Sequence, residues 1–434
     1  MSDTILNSLE SSSLQRSVNQ ISSTDPFEYS LGESSFPVSV EVVKVAPESA
    51  VKTTGDQVVS VRLPSAGFLV DGAIVLKNNV VIPGGDGIPG TASNGPGLYF
   101  YNNVVLKSKD QELLRVFPMW LHWQALRHKD NSKYVRATVL DMYKNNFAGK
   151  SGVRDCILPL GLMPFSKTSK DALDLKFLEN MYLDLSVRNA SGDGGPCTGF
   201  TTSTITDIDA HLKYHNLSNE DYSRFLSNNY SQSKSLSKMM VSNYQENIKN
   251  VSGLDPAGVK NVVETIPLYC PNYAVATYVG IRPVAGTALN HAAGGATAYI
   301  PVKNCVIRGN GKNLYTTNGN ARAHTLGLSS KHGTHEHYNQ GEQNFASGAA
   351  MWEETMGPGN IFKVDWRLLN NPSLVDNDKL EGGVSFGAVS SKEAELSFTL
   401  PANITAYQVE ILHEVIQLVN INAKNGSVSV STRS

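Results

Sequence analysis

STITDIDAHLKYHNLSNEDYSRFL, residues 203–226, runs a strand directly into a polar, helix-starting segment. Ile205, Ile208, Ala210, Leu212 and Tyr214 alternate with polar residues at a period of two, with one slip after Ile205. That period places the apolar side chains on one face, so the segment is expected to be a half-buried strand. The composition then shifts: from Leu217 to about Gly253 the chain is polar, has neither Pro nor Gly, and opens on Asn219-Glu220-Asp221. This predicts a helix and linker over 221–255.

Upstream of this junction the texture is that of short strands. Val38, Val40 and Val42 alternate with Ser39 and Glu41, and VVSVRL (58–63) and FLVDGAIVL (68–76) follow turn-like breaks. β-branched residues between such breaks favour strands. PGGDGIPGTASNGPG (83–97) is too rich in Gly and Pro for a regular element and reads as a surface loop. YVRATVLDMY (134–143) is the helix expected in the first half, and FLENMYLDLSV (177–187) returns to strand.

Downstream, NVVETIPLYC (261–270) and NYAVATYVGI (272–281) restart the strand pattern, and a Gly-, Asn- and His-rich stretch fills about 283–360. AELSFTL (394–400) and ITAYQVEILHEVIQLVNINAKNGSVSVST (404–432) close the chain, with Asn425-Gly426 as a turn signal. Each half opens with paired strands, interposes a long irregular stretch, and ends in two or three strong strands. A jelly roll concentrates its excursions in this way, whereas a propeller would repeat at a fixed period. The expected class is all-β: two tandem antiparallel β-sandwiches with a few short helices, a first roll at 35–220, a helical linker at 221–255 and a second roll at 256–434. Residues 1–34 are Ser-rich with sparse apolar residues and are expected to form a flexible arm.

Composition narrows the function. Hydrophobic residues make up 41% and charged residues 18% of the chain, enough for a core. A formal net charge of −2 gives no basic field for a nucleic-acid backbone, so no specific nucleic-acid binding is expected. Cys156, Cys197, Cys270 and Cys305 are far apart, without metal-ligand spacing, and read as reduced thiols. The start carries no secretory pattern, which predicts cytoplasmic synthesis and bare sequons at Asn189, Asn216, Asn229, Asn250, Asn403 and Asn425.

Enzyme motifs fail on spacing. Gly149-Lys150-Ser151 imitates the end of a phosphate-binding loop, but Lys144 stands where its first Gly is required. His413-Glu414 begins like a zinc-protease helix, yet Gln417 replaces the second His and the flanking alternation of Tyr407, Val409 and Ile411 is that of a strand. His332, His335 and His337, with Glu336 and Glu342 nearby, form the one constellation with metal-ligand chemistry. Their polar surroundings favour a solvated loop over a zinc or nickel site. Trp120 and Trp123 around His122 suit a sandwich core better than a sugar platform. No catalytic, cofactor-binding or metal residue is therefore expected.

AHLKYHNLSNEDYSRFL (210–226) and KLEGGVSFGAVSSKEAELSFTL (379–400) resemble the junction and the late strands of double jelly-roll major capsid proteins of tailless icosahedral viruses, the adenovirus and tectivirus type. In order of elements the resemblance covers roughly 35–434, with loops shorter than those of the adenovirus hexon. It implies a viral coat protein, made in the host cytoplasm and located in the virion, that trimerises into pseudo-hexagonal capsomers. The implied partners are neighbouring capsomers, minor capsid or penton proteins and an internal membrane layer. The other class open at this point is a carbohydrate-binding or carbohydrate-cleaving β-sandwich, a lectin or glycosidase.

Overall fold

The computed structural model describes residues 39–81, 91–92, 100–109, 111–127, 152–160, 173–176, 178, 180–188, 197–198, 202–223, 235–255, 257–286, 299–321, 360–370, 383–402, 404–422 and 427–432. The arm expected at 1–34, the helix expected at 134–143, the His332/His335/His337 cluster and the Asn425-Gly426 turn lie outside these residues.

The first half contributes β1 (Ser39–Val45), β2 (Gln57–Arg62), β3 (Phe68–Val81), β4 (Thr91–Ala92), β5 (Tyr101–Ser108), β6 (Gln111–Val116), β7 (Gly152–Pro159), β8 (Leu173–Asp174), β9 (Met181–Val187), β10 (Cys197–Thr198) and β11 (Thr202–Asn216). One sheet runs β1-β11-β3-β7, with β8 added on β3, and the facing sheet runs β2-β9-β5-β6; β4 and β10 pair separately. Numbering only the eight long strands, the orders are 1-8-3-6 and 2-7-4-5. This is the winding of a jelly roll.

The second half repeats it. β12 (Ser235–Gln245), β13 (Lys249–Val251), β14 (Lys260–Pro267), β15 (Tyr273–Gly286), β16 (Val302–Gly309), β17 (Lys312–Thr316), β18 (Phe362–Asp365), β19 (Val384–Ser385), β20 (Glu393–Leu400), β21 (Ile404–Asn422) and β22 (Val428–Thr432) follow in order. The sheets run β12-β21-β15-β18 and β14-β20-β16-β17, again 1-8-3-6 and 2-7-4-5, with β13 and β22 on β21 and β19 on β15.

The period-two reading of 203–215 holds, and its one slip is physical. Ile205, Ile208, Ala210, Leu212 and Tyr214 are all buried, and the register of β11 against β3 shifts between Ile205 and Asp207. A β-bulge inserts one residue there and resets the alternation. The helix-and-linker reading of 221–255 needs correction. Ser218 starts a short helical turn at 219–223, its Oγ accepting the Asp221 N–H at 3.1 Å, but Ser235–Gln245 is strand β12, paired along its length with β21. β12 lies at the end of its sheet with one strand neighbour, so few of its residues need be apolar and its sequence masks the strand.

β21 is buried on both faces. Val409, Ile411 and Val415 join the core inside the second roll, while Leu412, Val419 and Ile421 join a core shared with the first roll. Its near-continuous apolar run follows, because neither face meets water.

The two four-stranded sheets match in detail. β5 bulges against β9 between Tyr101 and Asn103, and β16 against β20 between Val302 and Asn304. A second shift falls between Leu106 and Lys107 in β5–β6 and between Ile307 and Arg308 in β16–β17. The hairpins then turn through Lys109 (φ 52°) and Asn310 (φ 53°), whose N–H groups donate to Asn180 O (2.9 Å) and Ser390 O (2.8 Å).

Candidate functional site

The two rolls meet at a seam built by β6 and helix α1 (Pro118–Arg127) of the first roll. Pro118 occupies the opening of α1, where its missing N–H costs nothing. The Arg115 N–H donates to Ser242 Oγ at 2.9 Å and the Phe117 N–H to Asn243 Oδ1 at 3.2 Å, fixing β6 along β12. Met119, Trp120, His122 and Trp123 are buried. The aromatic cluster suggested by the sequence is therefore core, and specifically the core between rolls. Gly280 makes the approach possible, since a Cβ there would sit 2.5 Å from Met119 Sδ and 2.7 Å from the Tyr299 ring.

Buried charge marks the seam. Trp120 Nε1 donates to Glu414 Oε2 (3.1 Å), which also accepts the Tyr278 hydroxyl (2.6 Å). Trp123 stacks edge-on against Tyr278 at 5.7 Å, and the Lys363 ammonium lies 5.9 and 5.6 Å from these two rings. Lys363 donates to Asp365 Oδ2 at 3.0 Å, and Arg367 grips both Asp365 oxygens at 3.1 and 3.0 Å. The four charges balance. Burial alone would raise the Asp365 carboxyl, but the Lys363 charge and the Arg367 hydrogen bond outweigh it and hold the group well below the usual carboxylate range. Burial likewise disfavours the Arg367 cation, and the Asp365 hydrogen bond with the Glu414 charge more than reverses that. Sequence reasoning did not single out Lys363, Asp365 or Arg367. The signal was present in FKVDWR (362–367), where charges interrupt an apolar run.

A second buried network surrounds His413, which lies in β21 as the sequence predicted. Trp366 Nε1, a donor only, donates to Thr277 Oγ1 at 2.8 Å. The Thr277 hydroxyl is then assigned as donor to His413 Nδ1 (2.9 Å), and Nε2–H as donor to Glu246 Oε1 (3.0 Å). Glu246 also accepts the N–H groups of Tyr269 and Cys270, both at 2.8 Å. Burial raises this carboxyl, but the His413 hydrogen bond and the two backbone N–H groups bring it below its ordinary value. The connectivity is that of a hydroxyl–imidazole–carboxylate triad. Thr277 is only 1% exposed, so its hydroxyl is closed off from solvent, and the network acts as a brace joining the segment just after β12 to β15 and β21.

The outer face of the β2-β9-β5-β6 sheet carries an open groove of about 420 Å³ floored by Val105 and edged by Lys107, Arg115, Glu112 and Asp184. Glu112 is bonded to Arg115 at 3.1 and 2.5 Å, and Asp184 to Lys107 at 2.5 Å and to the Ser60 hydroxyl at 2.5 Å. Both carboxylates are engaged by partners within the sheet. Among the described residues no group of three or more His, Cys, Asp or Glu is placed to hold a metal. Cys156, Cys270 and Cys305 are buried thiols, and burial pushes Cys270 and Cys305 up to about 12. Among the described residues no helix is long and apolar enough to cross a membrane.

No protein-family model matches the chain, and no curated protein matches its sequence. Solved structures do. VP54 of PBCV-1, a structure fitted into a reconstruction of the virophage Sputnik, is similar at 13% identity over 94% of this chain and 100% of its own, with a TM-score of 0.64. The mavirus major capsid protein is similar at 10% identity over 94% and 92% of the two chains, with a TM-score of 0.54. The Faustovirus major capsid protein is similar at 9% identity over 96% and 98%, with a TM-score of 0.52. The fold is thus the double jelly roll of viral major capsid proteins, as the sequence resemblance implied.

Proposed function

We propose that this chain is the major coat protein of an icosahedral virus and that three copies close into a pseudo-hexagonal capsomer. Its role on this reading is geometric rather than catalytic, it resides in the virion after synthesis in the host cytoplasm, and its further partners are neighbouring capsomers, minor or penton proteins and an underlying membrane layer.

The seam carries the reading. Within the chain, β6 and α1 of one roll lie against the outer face of the 1-8-3-6 sheet of the next, a head-to-tail contact between two like units. The first roll keeps the same sheet face open, with Val40 and Val42 on β1 58% and 66% exposed. A second-roll flank of another copy can occupy that face. Repeating the contact from roll to roll gives a ring if the rotation closes, and three two-roll chains make six sides. The likeness to major capsid proteins over nearly the whole chain supports the same assignment.

Light scattering on the purified chain tests it. The expected mass is about three times the 47.0 kDa monomer. A stable monomer at micromolar concentration would overturn the proposal, because an obligate ring does not leave such interfaces bare.

A further inference from the structure

The second-roll sheet face that receives α1 and the open first-roll face correspond residue by residue. β11 pairs β3 as β21 pairs β15, and both pairings carry a register shift, at Lys213/Tyr214 in the first roll and at Ala274/Ala276 in the second. Aligned on that shift, Lys77 corresponds to Arg282 and Asp209 to Glu410, and their ion pair recurs, at 3.6 Å in the first roll and 3.2 Å in the second. The residues on which α1 and β6 rest are not kept. Glu414, which accepts the Trp120 N–H, corresponds to Lys213, and Gly280, which admits Met119, corresponds to Val75. Tyr278 corresponds to Ala73. On the end strand, Asn243, which accepts the Phe117 N–H, corresponds to Val42.

Each change works against a flank built like α1. The Lys213 ammonium can only donate, so it offers nothing to an indole N–H. The Val75 side chain fills the space that Gly280 leaves open, and the exposed Val42 has no acceptor for a backbone N–H. Lys213 itself is half-buried, and its ammonium has neither ion pair nor hydrogen bond among the described residues. We infer that Lys213, Val42 and Val75 determine which flank the open face accepts: they turn away α1 of any copy and select the second-roll flank of another copy, which brings an oxygen acceptor to the Lys213 ammonium.

The second-roll flank fits the altered face. In the seam two backbone N–H groups of the first-roll flank take acceptors from β12, Arg115 from Ser242 and Phe117 from Asn243. By register, Thr316 and Asn318 of the second roll stand in the places of Arg115 and Phe117. The Asn318 N–H already donates to Thr316 Oγ1 at 3.1 Å, so it needs nothing from the position that Val42 occupies. The Thr317 N–H donates to Cys305 O at 3.0 Å, which turns the Thr316 N–H towards the open edge of β17. The matching acceptor is retained on the face: Ser242 corresponds to Glu41, whose carboxylate accepts Asn216 Nδ2 at 3.2 Å and has capacity for a further donor. The face thus lacks an acceptor where the flank needs none and keeps one where the need remains. Elimination points to the same occupant, on the ring reading proposed above: α1 of every copy is buried in its own seam, and the second-roll flank is the one left to fill an open first-roll face.

Substitution at Lys213 tests the selection. Lys213→Glu copies the second-roll residue onto the first-roll face, and Lys213→Arg keeps a donor there. Trimer mass is followed through a dilution series by light scattering, and the fold by circular dichroism. Lys213→Glu is expected to raise the concentration at which trimers form about ten-fold or more with an unchanged spectrum, and Lys213→Arg to leave it within about two-fold. Val42→Asn, Val75→Gly and Lys213→Glu together rebuild the second-roll surface and are expected to give monomers where the unaltered chain is trimeric. Trimers that form as well with Lys213→Glu as without it, or that weaken as much with Lys213→Arg, overturn the selection and leave the ring standing. An unaltered chain that stays monomeric overturns the capsomer reading, and the selection with it.

Discussion

Asp365→Asn should be among the most destabilising single-atom changes in the molecule. The carboxylate is fully buried and is the shared partner of Lys363 and Arg367, whose side chains are 1% and 5% exposed. The amide keeps the shape but removes the charge that compensates two buried cations, leaving Glu414 as the remaining counter-charge acting on Arg367. Breaking a buried pair in this way typically costs about 3–5 kcal/mol, roughly a hundred-fold to several-thousand-fold in the folding equilibrium. Equilibrium urea unfolding at one fixed protein concentration reads it. A control separates lost charge balance from lost packing: Lys363→Met, Asp365→Leu, Arg367→Met and Glu414→Gln together remove all four charges and leave no imbalance, with the amide oxygen at position 414 still able to accept from Trp120 and Tyr278. That quadruple variant should sit within about 1–2 kcal/mol of the unaltered chain, since well-packed neutral replacements of buried ion groups are often neutral or stabilising. If Asp365→Asn cost under about 1 kcal/mol, water would have to reach the cluster and the account of the seam would be wrong.

Three further outcomes follow from the same interior. The Glu246 carboxyl is depressed below its ordinary 4.5, so its contribution to stability is fully present above that pH and is lost as pH falls through the lower folded value; Glu246→Gln should flatten the stability profile below about pH 4.5, and unchanged acid sensitivity would refute the brace. Gly280→Ala should cost about 1–3 kcal/mol by overpacking against Met119 and the buried Tyr299 ring, with a lowered melting temperature as readout; an unchanged value would mean the seam gives way freely. In a Cys197→Ser background, Cys156, Cys270 and Cys305 should resist a thiol reagent at pH 8 until the chain is unfolded, and stoichiometric labelling of the native protein would contradict their burial.

Strands with one wet face and one dry face were the most legible parts of the chain. β9, β11 and β20 bury alternate residues, so a period of two appears directly in MYLDLSV, in TDIDAHLKYH and in AELSFTL. β12 was not legible, because an end strand needs few apolar residues and a polar stretch without Gly or Pro imitates a helix. Helix α1 was obscured for the opposite reason. PMWLHWQALR lies between two cores, and a helix buried on most sides loses the amphipathic period that would reveal it.

The seam itself was the least legible feature, since it depends on which roll face meets which flank, and no local period encodes that. Its polar groups nonetheless say what the contact requires. An apolar sheet face and an apolar helix attract without direction, so a roll could slide or rotate on its neighbour at little cost. The Trp120 and Tyr278 hydrogen bonds to one Glu414 oxygen, and the Ser242 and Asn243 acceptors for the β6 backbone, are satisfied in one register only. Any shift leaves buried donors without acceptors. On the capsomer reading proposed above the seam recurs around a ring, and an angular error at one contact would accumulate six times before closure. Directional hydrogen bonds at the seam are what such a ring demands, and an enclosed pocket is not.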